Sequence, residues 1–269
     1  MGDSKVHQLR SKSSRALSRS VSGTRQAWPV GYRRSSIPPS REYDAAPVDP
    51  SHAADAVPRP FLLGVAGGTC SGKTTVAERL CEMIGGDRIA LIKLDSYYVD
   101  MPHEPLDVRA KANYDHPDSF DWELLNDHMR SLAAGQPIEV PVYDYAAYER
   151  TGKVTRIGRC DVVVVEGILV LYEPSIRELF DLKVYVDADA DLRLIRRLQR
   201  DVSERGRSPQ SIIDQYLATV RPSHLQFIEP SKRHADVIFP EGGRNEPALE
   251  VLLARVRELL SVAGRGAGA

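Results

Sequence analysis

The run GVAGGTCSGKTT, residues 64–75, carries four glycines and one lysine among small side chains. An apolar stretch beginning at Phe61 precedes it. After it, Val76, Leu80, Met83 and Ile84 fall on one helical face, and Gly85-Gly86 closes that segment. The order is therefore buried strand, glycine-rich turn, helix. Gly67, Gly72, Lys73 and Thr74 satisfy G-x-x-x-x-G-K-[ST] in that setting. Glycine lets successive N–H groups point into one concavity, and the helix N-terminus adds partial positive charge. Gly67, Gly68, Thr69, Cys70, Ser71, Gly72, Lys73, Thr74 and Thr75 are accordingly the candidate cradle for a phosphate chain. Lys73 would reach the outer phosphates and the Thr74 hydroxyl would ligate Mg²⁺. The competing reading is a flexible glycine turn, but a chance match in a chain this long is on the order of one per cent.

Working outward, RIALIKLD (88–95) reads as a second strand, and residues 121–134 as a helix through Leu124, Leu125, His128, Met129 and Leu132. IEVPVYDY (138–145) and GKVTRIG (152–158) read as the arms of a hairpin. DVVVVEGILVLY (161–172) reads as the most apolar strand, followed by strands in LKVYVDAD (182–189) and ADVIFP (235–240). Helices are expected near 189–203, after SPQ (208–210), and over 247–262 through Ala248, Val251, Leu252, Val256 and Leu259. Apolar strands alternating with helices predict an α/β fold, a parallel sheet covered by helices on both faces. The hairpin is an insertion, a candidate substrate-binding flap.

Composition is that of a globular protein, with 269 residues, 42% hydrophobic, 27% charged and a formal net charge of −1. That balance gives no global argument for nucleic acid. No apolar run approaches the ~18 residues of a membrane span. Cys70, Cys81 and Cys160 are odd in number and lack metal-ligand spacing, so they read as reduced thiols. Residues 1–41 hold nine Lys or Arg against the single acid Asp3, with ten Ser, and 43–60 are rich in Pro and Ala. Residues 1–59 are expected to be a disordered tail, 60–263 the folded domain and 264–269 a flexible end. For the tail, a solvated extension, an organelle transit peptide and a basic arm for nucleic acid or anionic lipid all fit the composition.

Two carboxylates suit the phosphate site. Glu166 ends VVVVE and Asp95 ends ALIKLD, both at carboxyl ends of expected strands, where α/β sheets bind ligands. One can orient Mg²⁺ and the other accept a proton from an attacking hydroxyl. Arg193, Arg196, Arg197 and Arg200 recur at helical spacing, and Arg205 and Arg207 flank Gly206. The plain reading is a solvated face paired with Asp189, Asp191 and Asp201. The functional reading is an arginine-rich lid that clamps a migrating phosphoryl group.

From Leu62 to Leu260 the motifs GGTCSGKTT, LDSYY, NYDHPDSFD, PVYDY, VVEGIL, VDADADLRLIRR, RDVSERGRS and PSKRHADVIFP follow in order. In that combination the chain resembles the uridine–cytidine kinases, P-loop nucleoside kinases of pyrimidine salvage. The resemblance implies transfer of phosphate from ATP, with GTP as the alternative donor, to the 5′-hydroxyl of cytidine or uridine. It implies Asp95 as catalytic base and metal-site acid, with Thr74 and Glu166 as Mg²⁺ partners. Lys73, Arg200 and Arg205 would face the phosphates. Asp115 would accept from the ribose hydroxyls, with Tyr98, Tyr114, Tyr143 and Tyr148 around the base. Arg197, Arg207 and Gln215 match further nucleoside positions. A homotetramer in the cytoplasm, with no membrane or nucleic-acid partner for the domain, is also implied; organelle targeting through the tail is the alternative.

Two positions depart from the family pattern. Tyr148 stands where a His is usual, at the expected polar edge of the pyrimidine, which leads to an expected preference for cytidine. Glu241, in PEGG, stands where many relatives have Arg, near the expected adenine side. Two other readings remain open. One is a phosphoribulokinase-like kinase of another small metabolite; the other is a nucleotide-binding switch without catalysis.

Overall fold

A computed structural model describes residues 59–266. The expected tail, apart from Arg59, and residues 267–269 lie outside the described residues.

Seven strands form among the described residues: β1 Phe61–Gly67, β2 Ile89–Lys93, β3 Ile138–Asp144, β4 Glu149–Ile157, β5 Val162–Glu166, β6 Leu182–Val186 and β7 Val237–Phe239. Five make a sheet in the order β2-β5-β1-β6-β7, and every pairing in it is parallel. The inner strands β5, β1 and β6 are apolar at almost every position because both faces are covered, whereas Val237 and Ile238 of the edge strand β7 are exposed. Side chains alternate between faces. On β5, Val163 and Val165 join the cluster containing Leu62, Leu94, Tyr97 and Leu125. Val162 and Val164 join the opposite cluster, with Leu63, Val76, Leu80 and Leu252.

The expected helices are present, with adjusted faces. Helix α1, Lys73–Ile84, buries Val76, Ala77 and Leu80, whereas Met83 is exposed. Helix α2, Trp122–Ala133, is capped by the Asp121 carboxylate, which accepts from Leu124 N at 3.1 Å, and buries Leu125, Met129 and Leu132. Helix α3 is Ala190–Ser203. Ser208 caps the next helix, α4, accepting from Ser211 N at 3.3 Å. This helix continues from 209 to 234 without a break, although Pro222 and Pro230 lie inside it. Wider π turns at Tyr216–Val220 and His224–Ile228 accommodate the missing donor and the ring of each proline. The last helix, α5, runs Glu246–Gly266; its buried positions include Leu249, Leu252, Leu253 and Val256, while Val251 is 71% exposed. No helix of the described residues is long and apolar enough to cross a membrane.

Two expectations are corrected. The apolar run 161–172 is not one strand. It leaves the sheet after Glu166, the last ladder bond being Gly167 N donating to Val65 O at 3.1 Å. Ile168, Leu169, Val170 and Leu171 stay buried as a turn, with Arg177 donating to the carbonyls of Leu171 and Tyr172. The second strand likewise ends at Lys93, and Leu94–Tyr97 coil into a short 3₁₀ turn.

The β3–β4 hairpin is antiparallel and separate from the main sheet. Ile138, Val140 and Ile157 anchor it in the core. Its tip is an Asx turn: Asp144 Oδ1 accepts from Ala146 N at 2.7 Å and Ala147 N at 3.1 Å. These two bonds hold the exposed Asp144 carboxyl below its usual range.

Candidate active site

Register brings the chemistry together. Glu166 at the end of β5 pairs with Val65 of β1 on one side and Lys93 of β2 on the other. Asp95 follows Lys93 by two residues, in the 3₁₀ turn. The loop after β1 rises between β5 and β6, at the point where the chain's crossovers diverge.

The loop is shaped by close approach as much as by flexibility. Gly72 has φ +97°, and a Cβ there would stand 2.8 Å from Gly243 N. Cys70 also takes a left-handed conformation, φ +55°. Gly72 supplies no side-chain cap to α1, so the first N–H groups of that helix are left for a ligand.

A cavity of about 700 Å³ opens over this helix start, lined by Cys70, Gly72, Lys73, Thr74 and Thr75, by Lys93, Asp95 and Glu166, and by Arg196, Arg200, Glu241 and Arg244 among others. Of the predicted cradle, Gly67, Gly68 and Ser71 do not line this cavity. Thr69 faces elsewhere: its Oγ1 accepts from Arg197 Nη1 at 2.9 Å, and it lines the neighbouring cavity.

That second cavity, about 600 Å³, contains every residue predicted for the nucleoside side: Tyr98, Tyr114, Asp115, Tyr143, Tyr148, Arg197, Arg207 and Gln215. Tyr98 is the pivot of its aromatic wall. It stacks on Phe120 at 4.8 Å and meets Tyr114 and Tyr143 edge-on at 4.9 and 5.2 Å. Tyr148, with φ +54°, lies nearly parallel to Tyr114 at 5.7 Å. Burial raises the Tyr98 phenol well above its ordinary pKa, and Asp95 and Asp115 reinforce the shift. Asp115 is itself pushed up, chiefly by burial, with the Arg197 cation opposing. Its loop is tied to α4 by Asn113 Nδ2, which donates to Ser223 Oγ at 3.1 Å.

Lys73, Asp95, Tyr145, Arg200, Glu204 and Arg205 line both cavities. The four residues predicted as catalytic therefore stand at the junction. Glu166 is 5% exposed; its Oε1 accepts from Thr74 Oγ1 at 3.0 Å, while the buried Oε2 has no protein partner. Burial raises its pKa, offset in part by Lys73. A hydroxyl and an orphaned carboxylate oxygen are hard donors of the kind Mg²⁺ takes when phosphates complete its shell. Among the described residues no group of three or more His, Cys, Asp or Glu could hold a metal by itself.

Tyr145 and Glu204, which no sequence motif singled out, also line both cavities. Tyr145 lies two residues after Tyr143, one position past the end of β3, so continuing the strand's period-two alternation was the available signal. Of the two readings of the arginine-rich segment, the solvated face paired with Asp201 does not hold at that residue. Asp201 is fully buried and faces Arg197, Arg200, Arg205 and Arg207.

A profile of the Phosphoribulokinase / Uridine kinase family matches residues 62–248. A uridine kinase of Chloroflexus aurantiacus is 55% identical over 201 residues, covering 75% of this chain and 96% of that one. A uridine kinase of Deinococcus deserti is 52% identical over 199 residues, covering 74% and 96%. Among solved structures, phosphoribulokinase from Rhodobacter spheroides superposes with a TM-score of 0.52 at 17% identity, over 68% of this chain and 70% of that one, a likeness of fold. The strand–loop–helix cradle, the two joined cavities and these matches together place the chain in the Phosphoribulokinase / Uridine kinase family, a family of phosphoryl-transferring enzymes.

Proposed function

We propose that the protein phosphorylates the 5′-hydroxyl of cytidine and uridine, with ATP as donor, GTP as the alternative donor, and Mg²⁺ as cofactor. The observation that carries this reading is the shared boundary of the two cavities at Lys73, Asp95, Arg200 and Arg205. A triphosphate laid along the helix start and a nucleoside against the tyrosine wall would meet there end to end, as in-line transfer requires. Relatives more than half identical bear the name uridine kinase.

In this reading Asp95 accepts the 5′-hydroxyl proton as that oxygen attacks phosphorus. Lys73, Arg200 and Arg205 stabilise the charge spread over the transferring group. Thr74 and Glu166 hold Mg²⁺, which when bound neutralises charge on the phosphate oxygens. Asp115 accepts from the ribose hydroxyls, and Tyr98, Tyr114 and Tyr143 receive the base. The assembly is taken as a cytoplasmic homotetramer, after the family resemblance.

Tyr148 supports a preference for cytidine. Its phenol, stacked on Tyr114, replaces a shorter imidazole at the polar edge of the pyrimidine, and a pocket shaped to one hydrogen-bonding pattern rejects the other. Initial rates with both nucleosides, for the wild type and Tyr148→His, test this; an unchanged ratio of kcat/KM values removes the preference. The broader assignment is tested by ADP release with and without nucleoside, and fails if neither nucleoside stimulates it.

The arginine wall of the second cavity favours one other reading, a phosphorylated sugar as acceptor. Arg197 and Arg207 are set against the tyrosines there. A panel of nucleosides and sugar phosphates with radiolabelled ATP separates the two.

A further inference from the structure

Asp201 lines neither cavity, yet four arginines that line one or both of them converge on it. Its two oxygens are divided between two sets of partners. Oδ1 accepts from Arg200 through Nε at 2.9 Å and Nη2 at 2.8 Å, with Arg205 Nη1 at 3.4 Å. Oδ2 faces Arg207 Nη1 at 3.5 Å and Arg197 Nε at 3.7 Å. The Oδ1 pair stands at the junction of the cavities; the Oδ2 pair faces only the tyrosine cavity. Gln215 Oε1 ties the second pair together, accepting from Arg197 Nη2 at 2.9 Å and Arg207 Nη1 at 2.6 Å. The main chain closes the same ring, with Arg207 N donating to Asp201 O at 3.0 Å.

Four guanidiniums gathered this closely repel one another, and a buried carboxylate among them is screened little by salt. Their placement therefore depends on where that carboxylate sits. The two halves of the cluster are unequally tight. The Oδ2 contacts are longer than a normal hydrogen bond, and both Oδ2 and Arg197 Nε are buried without a protein hydrogen-bond partner. A ligand that moves Arg197 or Arg207 by a few tenths of an ångström would change the pull on Oδ2, and through the rigid carboxylate the setting of Arg200 and Arg205.

We propose that Asp201 is a positioning residue that couples the two cavities. Occupancy of the tyrosine cavity is relayed through its carboxylate to the arginines that face the phosphates. The coupling is reciprocal, as linkage demands: each substrate tightens the other. The inference rests on the two-substrate reading given above. A purely structural role, holding the end of α3 to the lid, would show in thermal stability alone.

The test is calorimetric titration of the full chain with cytidine, with and without a saturating non-hydrolysable ATP analogue and Mg²⁺. In the wild type the analogue is expected to tighten cytidine by about fivefold or more. In Asp201→Asn each ligand still binds alone, the tightening falls below about twofold, and kcat drops at least about tenfold; Asp201→Glu recovers part of both. Should Asp201→Asn fail to fold, Arg207→Gln serves, because Arg207 does not line the phosphate-side cavity. Its analogue affinity measured alone is expected to be unchanged while the tightening is lost. Wild-type protein that binds cytidine with no tightening overturns the inference alone, as does full tightening in a folded Asp201→Asn or in Arg207→Gln. Wild-type protein that binds neither cytidine nor uridine overturns the acceptor assignment and this inference together.

Discussion

The Thr74 hydroxyl donates to Glu166 Oε1 at 3.0 Å, joining the first turn after the phosphate loop to the end of the most buried strand. The two residues are 92 positions apart in sequence and face one cavity. Glu166 is held there at a cost, since burial raises its pKa. An acid with a raised folded-state pKa loses stability as pH climbs from its unfolded value through the folded one. Glu166→Gln should therefore be at least as stable as wild type near pH 8, with the advantage vanishing near pH 4, by thermal melts across that range. Its kcat should fall by about 10²-fold, and a higher Mg²⁺ concentration should be needed for half-maximal rate.

Asp95→Asn keeps size and removes the base. Loss of general-base catalysis typically costs about 10²–10⁴ in rate. We expect kcat to fall within that range while cytidine and nucleotide still bind, measured by calorimetry beside initial rates. Full turnover in the variant would end the assignment of Asp95 as base.

Asp115 must be ionised to accept from two ribose hydroxyls. Burial raises its pKa, so protonation on the acid side sets in above the ordinary carboxylate range. The KM for cytidine should rise as pH is lowered through that range. In Asp115→Asn the KM should be high throughout and lose this slope. A matching slope in the variant would assign the titration to another group.

Gly72→Ala places a methyl group at φ +97° and 2.8 Å from the backbone nitrogen of Gly243. Backbone strain of this kind costs about 1–3 kcal/mol. The melting temperature should drop accordingly and nucleotide affinity should weaken, because the cradle and the 242–244 turn must part. Unchanged values of both would mean the loop shifts freely.

His224 lies behind the loop, with Nε2 3.0 Å from Arg193 Nη2 and Cε1 3.1 Å from where a Cβ on Gly68 would stand. Burial first, and Arg193 second, lower its pKa to about 4, against Glu229 at 3.5 Å. The unfolded chain takes up that proton near pH 6.5 and the folded chain only near 4, so this group removes stability as pH falls between those values. His224→Gln should flatten the acid limb of the stability profile; an unaltered limb would remove the histidine from the account.

The strand–loop–helix unit, the parallel sheet and the helix starts were legible in the sequence because each depends on short-range periodicity and local capping. Phe61–Gly67 and Lys73–Ile84 end where their glycines and apolar spacing say they should. The tyrosine and arginine motifs were legible through family resemblance, and all eight nucleoside-side residues line one cavity. Three things were decided only by tertiary structure. The apolar run 161–172 leaves the sheet at Glu166, since a buried turn and a buried strand share one composition. Helix 209–234 passes through two prolines, because π turns relieve them within a packed environment. Asp201 is enclosed by four guanidiniums instead of facing water, since its partners come from a helix end and the following turn whose relative placement no local pattern encodes.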